Sequence, residues 1–232
     1  MIIFSVDSSS VAGSAALLCD GETVYECFAK EGLTHSETLL ARCDEVFRKT
    51  GYKPSDVDCY AVTAGPGSFT GLRIGLNLVK GMAFAGNIPC VPVSTFDALA
   101  YPATVYGRDI LCTLDARQKR VYCAAYHVVE GRPVQTLTGQ IIPLKDLSDA
   151  LSEAGICEPV VVGDAAKEAH EAVPGSIICE DRMIDVHAAE VGKVAYGLFI
   201  NGSYTTPDGL APVYLQLSQA ERERKKAEGI LL

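Results

Sequence analysis

The chain has 232 residues, 48% apolar and 21% charged, enough for one large domain or two lobes of about 100 residues each. Its net charge of −9 argues against a stand-alone grip on RNA phosphates, which calls for a basic face. No apolar run approaches the ~20 residues that cross a bilayer, and the nine cysteines, without C-x-x-C spacing, read as buried free thiols of a reducing, cytoplasmic protein.

Residues 2–6 read as a buried strand. Residues 12–19 read as a second, and Asp20-Gly21 is a hairpin turn into a third over 23–28. Thr34 and Glu37 fit a capping box opening a helix over 36–50. Leu39, Leu40, Cys43, Val46 and Phe47 make one apolar stripe on it, and Gly51 ends it. A strand at 60–64 leads into Gly65-Pro66-Gly67-Ser68-Phe69-Thr70-Gly71-Leu72-Arg73-Ile74-Gly75, a helix follows over 70–86, and 91–93 is a short strand. A strand that breaks into glycines at a helix start either cradles a phosphate on free N–H groups or lets another backbone come very close. The P-loop pattern is excluded because no Lys follows, and the Rossmann pattern because Thr70 occupies its third glycine position.

A near-echo of this order begins at Ile110. An apolar strand ends in Asp115 as the first ends in Asp7, a second strand follows over 121–129, and Glu130-Gly131 stands where Asp20-Gly21 stood. Val160-Val161-Val162-Gly163-Asp164 echoes the strand at 61–65. Two copies of one unit predict two lobes, 1–100 and 108–208, with the boundary at 94–109 around Pro102 and Gly107. A helix over 185–200 is expected on the second lobe, and a C-terminal helix over 209–226 is expected to complete the first. The mixed-charge run 221–226 reads as a solvated helix face.

Asp7 and Asp115 sit at strand ends, where they either hold a magnesium ion as hard oxygen ligands or cap hairpin turns. Ser8, Ser9 and Ser10 are the adjacent hydroxyl and N–H donors. His187 and Glu190 have H-x-x-E spacing, but two ligands are a common coincidence and surface placement is expected. No G-x-S-x-G nucleophile motif is present. In helix 70–86 the polar residues Arg73, Asn77 and Lys80 form one narrow stripe, leaving more apolar surface than one buried face needs. The helix is either wholly enclosed by its own lobe or it is a docking surface, with Gly71 and Gly75 allowing close approach.

Five ordered segments resemble the TsaB family, also called YeaZ: Ile3-Phe4-Ser5-Val6-Asp7-Ser8-Ser9, Thr34-His35-Ser36-Glu37-Thr38-Leu39-Leu40, the glycine segment, Leu114-Asp115-Ala116-Arg117 with Val121-Tyr122, and Pro212-Val213-Tyr214-Leu215. The resemblance implies an α/β, two-lobed actin-like ATPase fold (ASKHA, ribonuclease H-like) with duplicated βββαβα units. It implies a non-catalytic subunit that docks on and activates TsaD, the transferase that threonylcarbamoylates adenosine 37 of tRNA (t6A synthesis). A TsaE-like ATPase is an expected further partner, tRNA is met only through the complex, no membrane is involved, and the isolated chain is expected to be a homodimer. Docking is expected through the first two helices, at Leu39, Cys43, Val46, Gly71, Leu72, Gly75, Leu78, Val79 and Met82, with Gly75→Arg abolishing pairing and sparing the fold. Asp7, Ser8, Ser9, Asp115 and Gly163 would line a degenerate nucleotide cleft. Of the glycine-rich adenosine element only Gly163-Asp164 remains, and Arg120 stands where an acidic residue is usual. No cofactor is expected to be required, with weak ATP or ADP binding left open. The paralogue's H-x-x-x-H metal pair is not matched, since Glu31 and Leu39 flank His35 at that spacing, so no metal site is expected. An active small-molecule kinase and a peptidase remain the alternatives.

Overall fold

A computed structural model describes residues 1–30 and 34–215. Most of the expected C-terminal helix, including the charged run 221–226, lies outside those residues, as does Glu31; residues 210–215 form no helix.

Strands β1 (Ile2–Asp7), β2 (Gly13–Cys19) and β3 (Glu22–Ala29) form an antiparallel meander. Asp20 and Gly21 take φ of 50° and 85°, the doubly left-handed turn that suits strand twist. Helix α1 (His35–Thr50) opens with the Glu37 carboxylate accepting from Thr34 N–H (3.3 Å) and Oγ1 (2.6 Å). Strand β4 (Cys59–Gly65) then pairs parallel with β1; helix α2 (Phe69–Phe84) leads to β5 (Cys90–Ser94), parallel to β4. The sheet order is β3-β2-β1-β4-β5. Helix α3 (Thr95–Ala103) crosses to the second half. There β6 (Ile110–Asp115), β7 (Arg120–Val129), β8 (Arg132–Pro143), α4 (Leu147–Glu153), β9 (Val160–Val162), α5 (Ala166–Ala172) and β10 (Ile177–Ile178) repeat the plan. The order β8-β7-β6-β9-β10 matches the first sheet strand for strand, and Glu130 and Gly131 repeat the turn at φ of 51° and 73°.

The boundary region 94–109 holds α3, whose Phe96, Leu99, Ala100 and Ala103 are buried in the core that both sheets share. The layers correct one expectation. Helix α6 (Ala188–Ile200) does not pack on the second lobe. It lies on β1 and β2 of the first sheet and against α3. Gly192 explains the choice: a Cβ there would run into Leu18 of β2, so the helix can sit close to that sheet. The resulting order is α1/α2, first sheet, α3/α6, second sheet, α4/α5, with a shared central core and an outer core on each side.

Helix α2 carries three glycines, at about 1 kcal/mol each against Ala. Burial of Leu72, Leu76 and Val79, roughly 1.5–3 kcal/mol apiece, outweighs that cost. Six of the nine cysteines are buried and none forms a disulfide; burial pushes the Cys43 thiol up to about 12. No helix among the described residues is long and apolar enough to cross a membrane.

Candidate functional site

The turn after β1 is built on Asp7. Its Oδ1 accepts from Thr63 Oγ1 (2.7 Å), Ser9 Oγ (2.7 Å) and Ser9 N–H (3.2 Å). Its Oδ2 is buried with no hydrogen-bond partner among the described residues. Burial pushes the carboxyl up to about 6, opposed by the Ser9 and Thr63 bonds. Asp7 is therefore a bracket that holds the Ser8–Ser9 turn to β4. His35, at the start of α1, steadies the same turn by donating Nε2–H to the Ser10 carbonyl at 2.7 Å.

Helix α2 starts directly on this turn. Ser68 N–H donates to the Ser9 carbonyl (2.7 Å), and Ser8 Oγ donates to the Gly71 carbonyl (2.8 Å). A Cβ on Gly71 would collide with the Ser8 carbonyl, and one on Gly75 with Ser8 Oγ. Of the two readings of the glycine segment, the close backbone approach is the one realised, and the approaching backbone is the chain's own.

An open cleft of about 690 Å³ separates this turn from the second lobe, with Ser9, Ser10, Phe69 and Thr70 on one wall and Asp115 and Arg117 on the other. Asp115 accepts from Arg117 N–H (2.7 Å), lies 3.7 Å from its guanidinium Nε, and donates its own N–H to Asp164 Oδ1 (2.8 Å). Burial raises the Asp164 carboxyl above its ordinary value, the Asp115 N–H opposing it. Gly163 serves packing, since a Cβ there would meet the Thr113 carbonyl.

A magnesium nucleotide held between the two aspartates does not fit these residues. Asp7 does not line the cleft and is fully enclosed. Asp115 does line it but is engaged by Arg117, and Ser8 is sealed beneath α2. Only Ser9 and Asp115 of the five expected cleft residues reach its walls.

The helix face is also redrawn. Leu39, Cys43, Val46, Leu72 and Val79 are buried, the first three and Val79 against Phe4, Tyr60 and Val62 of the outer core. Gly71 and Gly75 are buried against Ser8. These seven point at their own sheet and cannot touch a partner; Leu78 and Met82 are half-buried. For the same reason Gly75→Arg would disrupt the Ser8 turn rather than spare the fold. The outward stripe of α2 is Thr70, Arg73, Asn77, Gly81 and Phe84, flanked by Ile74, Leu78 and Met82. Phe84 is 67% exposed, and Leu40 on α1 is 62% exposed.

Sequence reasoning also missed a tie between α2 and the P-x-Y-L segment. The Arg73 guanidinium lies 3.9 Å over the Phe69 ring, its Nε donates to Tyr214 Oη (2.8 Å), and the two rings stack at 4.9 Å. Val213 N–H extends the end of β4 by donating to the Ala64 carbonyl at 2.7 Å. His187 is not a surface helix residue: it precedes α6, half-buried, with Nδ1 2.9 Å from Glu26 Oε2.

Residues 31–155 match the family model described as TsaD: tRNA N6-adenosine threonylcarbamoyltransferase. The tRNA threonylcarbamoyladenosine biosynthesis protein TsaB of Haemophilus influenzae is 33% identical over 53% of this chain and 52% of its own length. The protein of that name from Bacillus subtilis is 27% identical over 95% of this chain and 96% of its own. The solved structure of YeaZ from Pseudomonas aeruginosa superposes with a TM-score of 0.79 at 26% identity, covering 92% of this chain and 99% of that one.

The chain belongs to the TsaB (YeaZ) family.

Its duplicated lobes are the two-lobed actin-like ATPase fold. Within that architecture, this chain's glycine segment is a packing device between α2 and the β1 turn.

Proposed function

We propose that this chain acts in tRNA threonylcarbamoyladenosine synthesis as a non-catalytic subunit that docks on and activates a TsaD-type transferase. Docking uses the outward faces of α1 and α2. The observation that carries this reading is the exposed Leu40 and Phe84 on those two helices, in a chain whose relatives are named for this biosynthesis. A solvent-facing Phe and Leu, with Ile74, Leu78 and Met82 half-buried along α2, suit surfaces that a partner covers. In isolation the same patch supports self-association. The reading needs no nucleotide: the aspartate that would ligate the metal serves instead as a bracket. A TsaE-like ATPase joins the assembly, tRNA is met only through the complex, and the setting is the cytoplasm.

The test is capture of a TsaD-type transferase by tagged chain, with Phe84→Glu and Leu40→Glu as surface variants. Each should weaken capture about tenfold or more, because a charge must then be buried in an apolar contact, while the melting temperature holds. Unchanged capture by both variants refutes the docking face. Tight calorimetric binding of ATP and magnesium with phosphoryl turnover would favour the kinase reading instead.

A further inference from the structure

A groove of about 300 Å³ runs between α2 and the 210–212 segment, lined by Arg73, Leu76, Asn77, Lys80, Leu210 and Pro212. Leu76 and Leu210 are buried and, with Pro212, give it an apolar lining. Arg73, Asn77 and Lys80 recur at i, i+4 and i+7, so they stand along one face of the helix, and Phe84 continues the row four residues on. At 1.5 Å of rise per residue the two cations are about 10 Å apart along the helix axis.

No carboxylate lines the groove, in a chain with 29 acidic residues against 20 basic ones. Arg73 donates to Tyr214 Oη (2.8 Å) and lies over the Phe69 ring, but meets no carboxylate among the described residues. Lys80 is half-buried, and neither it nor Asn77 has a hydrogen-bond or ion-pair partner among the described residues. Asp208, in the segment just before Leu210, is exposed and pairs with neither cation. By contrast, Lys30 and Lys193 each hold a carboxylate at 2.9 Å. Two cations and an amide thus face one apolar trough, and no described residue supplies a counter-ion.

We propose, resting on the docking face put forward above, that this groove receives an acidic helix of the partner transferase, with carboxylates two turns apart meeting Arg73 and Lys80. An i, i+7 pair of Asp or Glu on a helix packed nearly parallel to α2 reproduces the spacing of the two cations. An apolar residue between the carboxylates covers Leu76 and Leu210, and Asn77 serves a polar group at the middle turn. The Tyr214 bond and the Phe69 stack hold the Arg73 guanidinium in place and leave its terminal nitrogens for a carboxylate. The apolar lining and the adjoining Phe84 favour a protein segment over an RNA backbone, which calls for a broad basic face. A net charge of −9 opposes an acidic partner elsewhere on the chain, so the cationic row fixes where the helix lands.

The test is surface plasmon resonance of the full chain with purified, RNA-free TsaD-type transferase, over about 50 to 500 mM salt. Lys80→Met keeps the apolar stem and removes the charge. It should slow association about three- to tenfold at low salt and flatten the salt dependence. Lys80→Glu should slow association further, whereas Phe84→Glu should chiefly speed dissociation. Unchanged association and salt dependence in Lys80→Met, with binding still lost in Phe84→Glu, overturns the acidic-helix contact and leaves the docking face standing. Parent-like kinetics in Lys80→Met, Phe84→Glu and Leu40→Glu alike overturn both. A Lys80-dependent signal that arises only when tRNA is added assigns the groove to phosphates and overturns the proposal. Should Lys80→Glu compromise folding, the Lys80→Met variant decides.

Discussion

Gly71→Ala separates packing from docking at the glycine segment. Gly71 does not need a left-handed backbone, so Ala is conformationally acceptable and gains up to about 1 kcal/mol of helix propensity. Against this, the added Cβ meets the Ser8 carbonyl, a backbone atom that cannot swing aside. Overpacking of this kind costs about 1–3 kcal/mol. Separating α2 from the turn also weakens the Ser8 Oγ bond to the Gly71 carbonyl and the Ser68 N–H bond to the Ser9 carbonyl, at about 1 kcal/mol each. The net expectation is a loss of about 2–4 kcal/mol, or a melting temperature about 5–15 °C lower for a chain of this size. Gly81→Ala is the matched control. It lies on the same helix, exposed, with nothing near its Cβ position, and should gain about 0.5–1 kcal/mol. Urea and thermal unfolding of both variants measure the contrast. A Gly71→Ala protein that melts with the parent yet fails to capture a transferase would refute the packing argument.

Burial raises the Asp7 carboxyl from its ordinary 3.8 to about 6, so the native state binds the proton more tightly than the unfolded chain. Stability should therefore fall as pH rises from about 4 to 6, by about 3 kcal/mol in all, with the penalty fully present above that window; the difference curve against Asp7→Asn, from unfolding at pH 4 to 7, should show this slope, and parallel curves would contradict it. His187 is raised above 6.5 chiefly by its bond to Glu26, so that pair contributes fully below pH 6.5 and fades as pH climbs through the folded value. Relative to Glu26→Gln, the parent should gain stability on acidification through that range, and a pH-independent difference would count against the pair. Arg73→Ala removes a guanidinium stacked on Phe69 and bonded to Tyr214, and should cost about 1 kcal/mol while loosening the 212–215 segment; unchanged hydrogen exchange at Val213 would argue against that tie.

Local signals were legible wherever neighbouring residues decide the outcome. The Glu37 reach-back at the start of α1, Gly51 at its end and the two acidic-Gly hairpins are short-range chemistry, and each stands where the pattern placed it. The duplication was readable because apolar strands ending in Asp recur with the same turns, and the two sheets share one strand order. Family membership was likewise carried by ordered motifs along the chain. What local pattern could not decide was which surface each element covers. Helix α2 is apolar nearly all round, so only the position of the Ser8–Ser9 turn, some sixty residues earlier, turns Gly71 and Gly75 inward and Phe84 outward. Helix α6 lies beside the second lobe in sequence but packs on the first sheet, where Gly192 admits Leu18. Asp7 looked the same as a metal ligand or a turn bracket until Thr63 arrived from β4 to claim its oxygen. Spacing sets what a residue can do; long-range packing, which brings distant backbone and hydroxyl groups against it, selects what it does.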